Sequence, residues 1–222
     1  MLTCDMFSKA YWAHYVSIEK EFIQTLSYVS LSDENYLTYS EAYSKLILQI
    51  GSEVDIVLKI YCQQLDDTFD GSRIVDYKDL INERVPEFCA QEVEVRPTNT
   101  TVQPWINWDV SGENTSPYWW TAYNKIKHNR TDVGTIDSET KEYYKFANLK
   151  NVLLALAGLY QILTYIYYNI ATEEDQEVVT PLPGSRLFEL KGDLWEDVNF
   201  YGDFAFYFDN GELKMEFSDI YY

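Results

Sequence analysis

Apolar residues recur at three- and four-residue steps from the start of the chain. Phe7, Tyr11, Tyr15, Ile18, Phe22, Leu26 and Val29 form one stripe, which predicts a helix over residues 6–31. The run SLSDEN then breaks the period with turn formers. A second stripe, Tyr43, Ile47, Ile50, Val54, Val57 and Tyr61, predicts a helix capped by Ser40 and ending near Leu65. Two long amphipathic helices with a short connection predict an antiparallel pair. DDTFDGSR reads as a turn, and DYKDLINERV as a short helix capped by Asp76 and stopped near Pro86. Residues 92–115 lose the helical period and carry an alternating EVEV. They read as an irregular excursion between core helices, pinned to the body by Trp105 and Trp108. Ser116-Pro117 opens another helix, a capping hydroxyl followed by proline at the first helical position, and this helix ends near Asn129. TDVGTIDS reads as a loop, with Ser138 capping a final long helix that reaches about Ala171.

Beyond EEDQEVVTPLPGS the period changes from helical to alternating. RLFEL, DFAFYF and LKMEF read as short strands, and the Asn-Gly between the last two is a hairpin signal. The expected fold class is therefore all-α: an antiparallel helical bundle over residues 1–175, followed by a linker and a small β appendage over residues 176–222. The appendage doubles as an edge on which another chain can pair.

VLLALAGLYQILTYIYYNI, residues 152–170, contains no charge and approaches the length needed to span a bilayer. It also carries Gln161, Thr164, Asn169 and four tyrosines, and it continues a longer helical pattern. We read it as a central core helix, with no membrane partner. The start of the chain lacks a basic segment followed by an apolar run, so no signal peptide is expected. Cys4, Cys62 and Cys89 are odd in number and form no CxxC, which argues against a disulfide framework and a thiolate zinc site. A reducing cytoplasm is the expected location, and the triplets at Asn99, Asn114 and Asn129 read as chance glycosylation matches.

The net charge is −19, which disfavours sequence-independent binding to nucleic acid over a broad surface. Residues 121–150 depart from this acidity. Six bases and four acids give that window +2, against −21 for the remainder. The window holds most of SPYWWTAYNKIKHNR, residues 116–130, with one of the only two histidines in the chain. Residues four apart share a helix face, so Trp120, Asn124 and His128 align, with Tyr123, Lys127 and Arg130 on the adjoining stripe. The bland reading is a well-capped helix end, since the macrodipole favours cations there without any function. On that reading Trp119 and Trp120 are core anchors and Asn124 satisfies a backbone group. The other histidine, His14, reads as a hydrogen-bonded interface residue. Glu53 and Asp55, two apart on one helix, point in different directions; one of them is expected to pair with Lys127 or Arg130 across the bundle.

The long N-terminal helix pair, the YNKIKH turn and the following apolar ANLKNVLLALAGLY resemble the HEPN superfamily, compact all-α domains of prokaryotic toxin and defence ribonucleases. The resemblance covers roughly residues 6–172. The family signature is an arginine, four to six residues, then a histidine, often with a polar residue directly after the arginine. Dimerisation brings two copies together in a metal-free RNA-cutting cleft. This chain keeps His128 and the polar Asn124, but Tyr123 stands where the shortest spacing puts the arginine, and Ala122 and Thr121 where the longer ones do. The resemblance implies His128, Asn124 and Arg130 as catalytic residues and Lys127, Lys125, Tyr123 and Trp120 as substrate-binding residues. It implies no metal, no cofactor, a homodimer and RNA at the local basic patch. The missing arginine and the acidic remainder favour the alternative, a non-catalytic interaction protein that binds a basic protein partner.

Overall fold

The computed structural model describes residues 2–108 and 116–195 in full, and the backbone of two further strands at 204–209 and 212–217. The described chain is mostly helical, with short antiparallel strands.

The first rod is helical from Cys4 and is capped by Thr3, whose hydroxyl accepts the Met6 amide at 3.2 Å. It comprises α1 (Cys4–Phe7), a π-turn (Ser8–Trp12) and α2 (Ala13–Thr25). The extra residue per turn at the π-turn rotates the stripe. Trp12 is thereby buried, while Tyr11 stays only partly so. The rod ends near Thr25, short of the expected residue 31. Its last turn tightens into three-residue steps, Leu26 to Ile23, Ser27 to Gln24 and Tyr28 to Thr25, and the Thr25 hydroxyl donates back to the Phe22 carbonyl at 2.7 Å.

α3 (Glu41–Leu65) begins as its cap predicts, with the Ser40 hydroxyl accepting the Tyr43 amide at 3.1 Å. α4 (Ile74–Arg84) stops before Pro86, but Asp76 is not its cap. Asp76 is the third helical residue, and its carboxylate reaches back to the Arg73 and Ser72 amides at 3.0 and 3.3 Å while gripping the Arg73 guanidinium.

The excursion forms β1 (Val93–Val95) and β2 (Thr100–Val102), and Trp105 and Trp108 pin it as expected, both fully buried. The stretch expected as a loop after α5 (Tyr118–Asn129) is a hairpin, β3 (Val133–Ile136) with β4 (Glu139–Glu142). Its two turn residues, Asp137 and Ser138, have φ of +49° and +64°, the mirror-image turn whose twist matches the strands. Ser138 is thus consumed by the turn. Asn148 caps α6 (Leu149–Glu173) instead, its side-chain oxygen accepting the Asn151 amide at 2.9 Å.

α6 passes a length-and-composition test for a membrane span, yet 83% of its most apolar window is buried inside the protein. α1, α2, α3 and α5 pack around it. The expected appendage divides in two. β5 (Phe188–Leu190) joins the body by pairing with β1 in the sheet order β2-β1-β5, whereas β6 (Phe204–Asp209) and β7 (Glu212–Phe217) pair with each other. The strap before β5 is fixed by a buried carboxylate on α2. Glu19 accepts from the hydroxyls of Tyr15 and Ser185 and from the amides of Arg186 and Leu187.

Candidate functional site

α5 follows Pro117, which has an extended backbone and sits one position outside the helix rather than at its first residue. The helix buries Trp119, Trp120, Ala122, Tyr123 and Ile126 and leaves Lys127, His128, Asn129 and Arg130 exposed at its end. Trp119 donates its indole N–H to the Pro104 carbonyl at 2.8 Å, tying α5 to the excursion. On the opposite side α5 lies against α3 where Gly51 removes a side chain. A Cβ there would come 2.4 Å from the Tyr123 ring, so glycine is what admits this tyrosine.

The aligned stripe opens onto a small groove of about 230 Å³, lined by Asp55, Ser72, Ile74, Trp120, Tyr123, Asn124 and Lys127. Trp120 and Tyr123 are 5% and 4% exposed, so they contribute edges rather than free faces. Asn124 donates a side-chain N–H to the Trp120 carbonyl at 3.2 Å, as the bland reading of this residue expects. The Lys127 ammonium donates to the Tyr123 hydroxyl at 3.3 Å and lies 5.5 Å from its ring centroid. Asp55 faces Lys127 in this groove. Burial pushes its carboxyl up, and the charges of Lys127 and Lys59 pull it back down. Glu53 turns the other way and meets His14, Nε2 to Oε1 at 3.5 Å, so the two acids serve different neighbours.

Three of the sequence-predicted site residues lie outside the groove lining. His128 is exposed on the last turn of α5. Arg130 is the capping residue; its carbonyl accepts the Tyr144 amide at 3.0 Å. Lys125 holds its ammonium 5.4 Å from the Tyr143 ring centroid. The structure therefore gathers Trp120, Tyr123, Asn124 and Lys127 and sets His128, Arg130 and Lys125 around them. Ser72 comes from the turn before α4 and Ile74 is the first residue of α4, and no sequence signal links them to α5.

The basic window separates into two kinds of charge. Lys141 pairs with Glu139, Lys145 with Glu142 and Lys150 with Asp137. Lys125, Lys127 and Arg130, all on α5 or its cap, form no ion pair within 4 Å among the described residues. A larger cavity of about 750 Å³ lies between the end of α2 and the start of α3. Its two charged lining residues, Glu21 and Lys45, pair at 2.6 Å, whereas Asp55 and Lys127, the charged residues of the smaller groove, form no ion pair within 4 Å. Comparison of the chain with family models, with curated proteins and with solved structures gave no match.

Proposed function

We propose that this chain is a HEPN-like antiparallel helical bundle that acts on RNA as a homodimer in the cytoplasm, cleaving it without a metal at the end of α5. Exposure of the His128 imidazole beside the unpaired cations Lys127 and Arg130 is the observation that supports this reading. An imidazole is the side chain best suited to exchange protons with a ribose 2′-hydroxyl and a leaving oxygen near neutral pH. Lys127 and Arg130 supply the charge that a developing phosphorane needs, in place of the absent arginine. Asn124 serves as the polar partner within the groove.

The test is cleavage of a labelled single-stranded RNA in excess chelator by the full chain and by His128→Ala. Cleavage that disappears in the variant supports the reading. Cleavage that persists undiminished in the variant, or none by the wild type, removes it.

A second reading rests on Tyr123. The position of the usual arginine is occupied by a buried ring packed over Gly51, and Asp55 opposes the groove's one lysine. On this reading the protein is a non-catalytic relative whose acidic surface holds a basic protein partner. Co-purification of a basic protein that dissociates with salt, together with wild-type chain inert toward RNA, is the result that selects it.

A further inference from the structure

The aromatic residues beyond the end of α5 carry an arrangement that the groove does not use. Four cation–π contacts occur among the described residues, and all four lie between Tyr123 and Phe146: Lys127 on Tyr123, Lys125 on Tyr143, Lys141 on Phe146 and Lys145 on Tyr144. Such contacts ordinarily occur about once in 70–80 residues, so this end of the molecule is dense in them. Tyr39 adds a ring from the segment before α3. It meets Tyr144 edge-on, with centroids 5.8 Å apart and planes at 75°, and keeps 47% of its surface in water.

These rings are held by backbone rather than by side-chain packing alone. The Tyr143 and Tyr144 amides donate to the Asp132 and Arg130 carbonyls at 2.9 and 3.0 Å. Tyr39 is bridged to Asn148, with the Leu149 amide donating to the Thr38 carbonyl at 3.0 Å on one side of the bridge. The Arg130 link places the Tyr143–Tyr144 pair directly after the helix end that bears His128. Lys141, Lys145 and Lys150 on this surface have carboxylate partners and Lys127 faces Asp55; Lys125 and Arg130 have no carboxylate within 4 Å among the described residues and remain for phosphates.

We infer that Tyr39 and Tyr144, with Lys125 and Arg130, form a stacking platform that leads a single-stranded RNA segment to His128, Tyr143 serving to seat Lys125 beside it. This rests on the RNA-directed reading above and names its substrate class. Unpaired bases expose their faces to tyrosine rings; the bases of an A-form duplex are stacked on one another and offer only groove edges. The surrounding −21 of charge also admits only a short contact. Two phosphate neutralisations, at Lys125 and Arg130, give a salt slope of about −1.4 for a single strand.

The experiment uses the full-length chain carrying His128→Ala, so that the strand stays intact. Its probes are a fluorescein-labelled mixed-sequence single-stranded RNA and the blunt duplex made from it. Tyr39→Ala and Tyr144→Ala are each expected to weaken strand binding about 5- to 150-fold, the range for loss of one stacked base. Lys125→Ala is expected to flatten the salt slope by about 0.7. Tyr28→Ala, which removes a ring 90% exposed on a segment that lines the larger cavity, is expected to change nothing. Tyr39 is half in water, so its truncation leaves the fold intact even where Tyr144→Ala does not. A duplex bound as tightly as the strand overturns the platform. So does unchanged strand binding in Tyr39→Ala, and either result leaves the ribonuclease reading standing. Binding of neither probe overturns the RNA reading and the platform with it.

Discussion

Gly51→Ala is the substitution that most directly tests how the site is held. Two effects of opposite sign compete. Alanine in a helix interior is favoured over glycine by about 0.8–1 kcal/mol. Against that, the new Cβ would sit 2.4 Å from both Cγ and Cδ2 of Tyr123 and 2.6 Å from Cε2. An ordinary contact begins near 3.4 Å, so ring and backbone must separate by roughly 1 Å. The contacted atoms are the stem of a buried ring and not a flexible tip, so the strain passes to α5. Overpacking of this kind costs about 1–3 kcal/mol, which outweighs the propensity gain over most of its range. The expected net loss is about 0–2 kcal/mol, read as a lower midpoint in urea by tryptophan fluorescence. Tyr123→Leu removes the opposing ring, so the double variant should be more stable than the sum of the single changes by about 1 kcal/mol or more. Because α5 carries Asn124, Lys127 and His128, on the proposed ribonuclease reading a shift of about 1 Å should also reduce RNA cleavage by up to about a hundredfold. Gly51→Ala that raises the midpoint, or a double variant that is merely additive, would refute the claim that this glycine seats α5.

The other predictions concern the strap, the helix cap, the thiols and the histidine. Glu19→Gln turns an amide N–H₂ toward groups that donate to Glu19, and should cost about 2–4 kcal/mol in equilibrium unfolding; a loss below about 0.5 kcal/mol would show that the buried carboxylate is not what holds residues 185–187. The Arg73 guanidinium and the Ser72 and Arg73 amides pull the Asp76 carboxyl down to about 2. Its stabilisation is therefore complete above the unfolded value near about 3.9 and is lost as pH falls through about 2. The difference in thermal midpoint between wild type and Asp76→Asn should be constant at neutral pH and close below about pH 4; a gap that widens on acidification contradicts this. Burial pushes the Cys62 thiol up to about 12, and burial with the neighbouring Glu174 pushes Cys4 up to about 11, so both should resist iodoacetamide at about pH 8 until the chain is unfolded. Mass spectrometry showing rapid native labelling of Cys62 would argue against its burial. His128→Ala lies on an exposed turn and should change stability by less than about 0.5 kcal/mol, so that a loss of cleavage reports chemistry; a large drop in midpoint would remove that inference.

Periodicity located α3 and its Ser40 cap, the stop before Pro86, the extent of α5 and the end of α6, because each of these is set by neighbours within one or two turns. It missed what depends on partners far along the chain. Asp137 and Ser138 look like loop and cap residues, but their left-handed backbone builds a hairpin, and the cap passes to Asn148. A single π-turn moves Trp12 into the core, and a straight 3.6-residue wheel cannot register it. RLFEL was legible as a strand, yet its partner β1 lies almost a hundred residues earlier, and alternation says nothing about pairing. For the site, helical spacing aligned Trp120, Asn124 and Tyr123 with Lys127 correctly. Which of them open to a groove was set by Asp55, Ser72 and Ile74, whose approach is tertiary. Spacing also put His128 on the stripe of Trp120, whereas the groove stops one residue short of it.

The Glu19 clamp has a bearing on how the chain acquires its form as it is made. Its carboxylate is sealed on the first rod, yet three of its four donors are supplied 166–168 residues later. A growing polypeptide must therefore keep that charge hydrated, and the first rod unsealed, until the strap has left the ribosome. The burial of Glu19 thus waits on residues 185–187, and the sealing of the first rod against the strap cannot follow the order of synthesis.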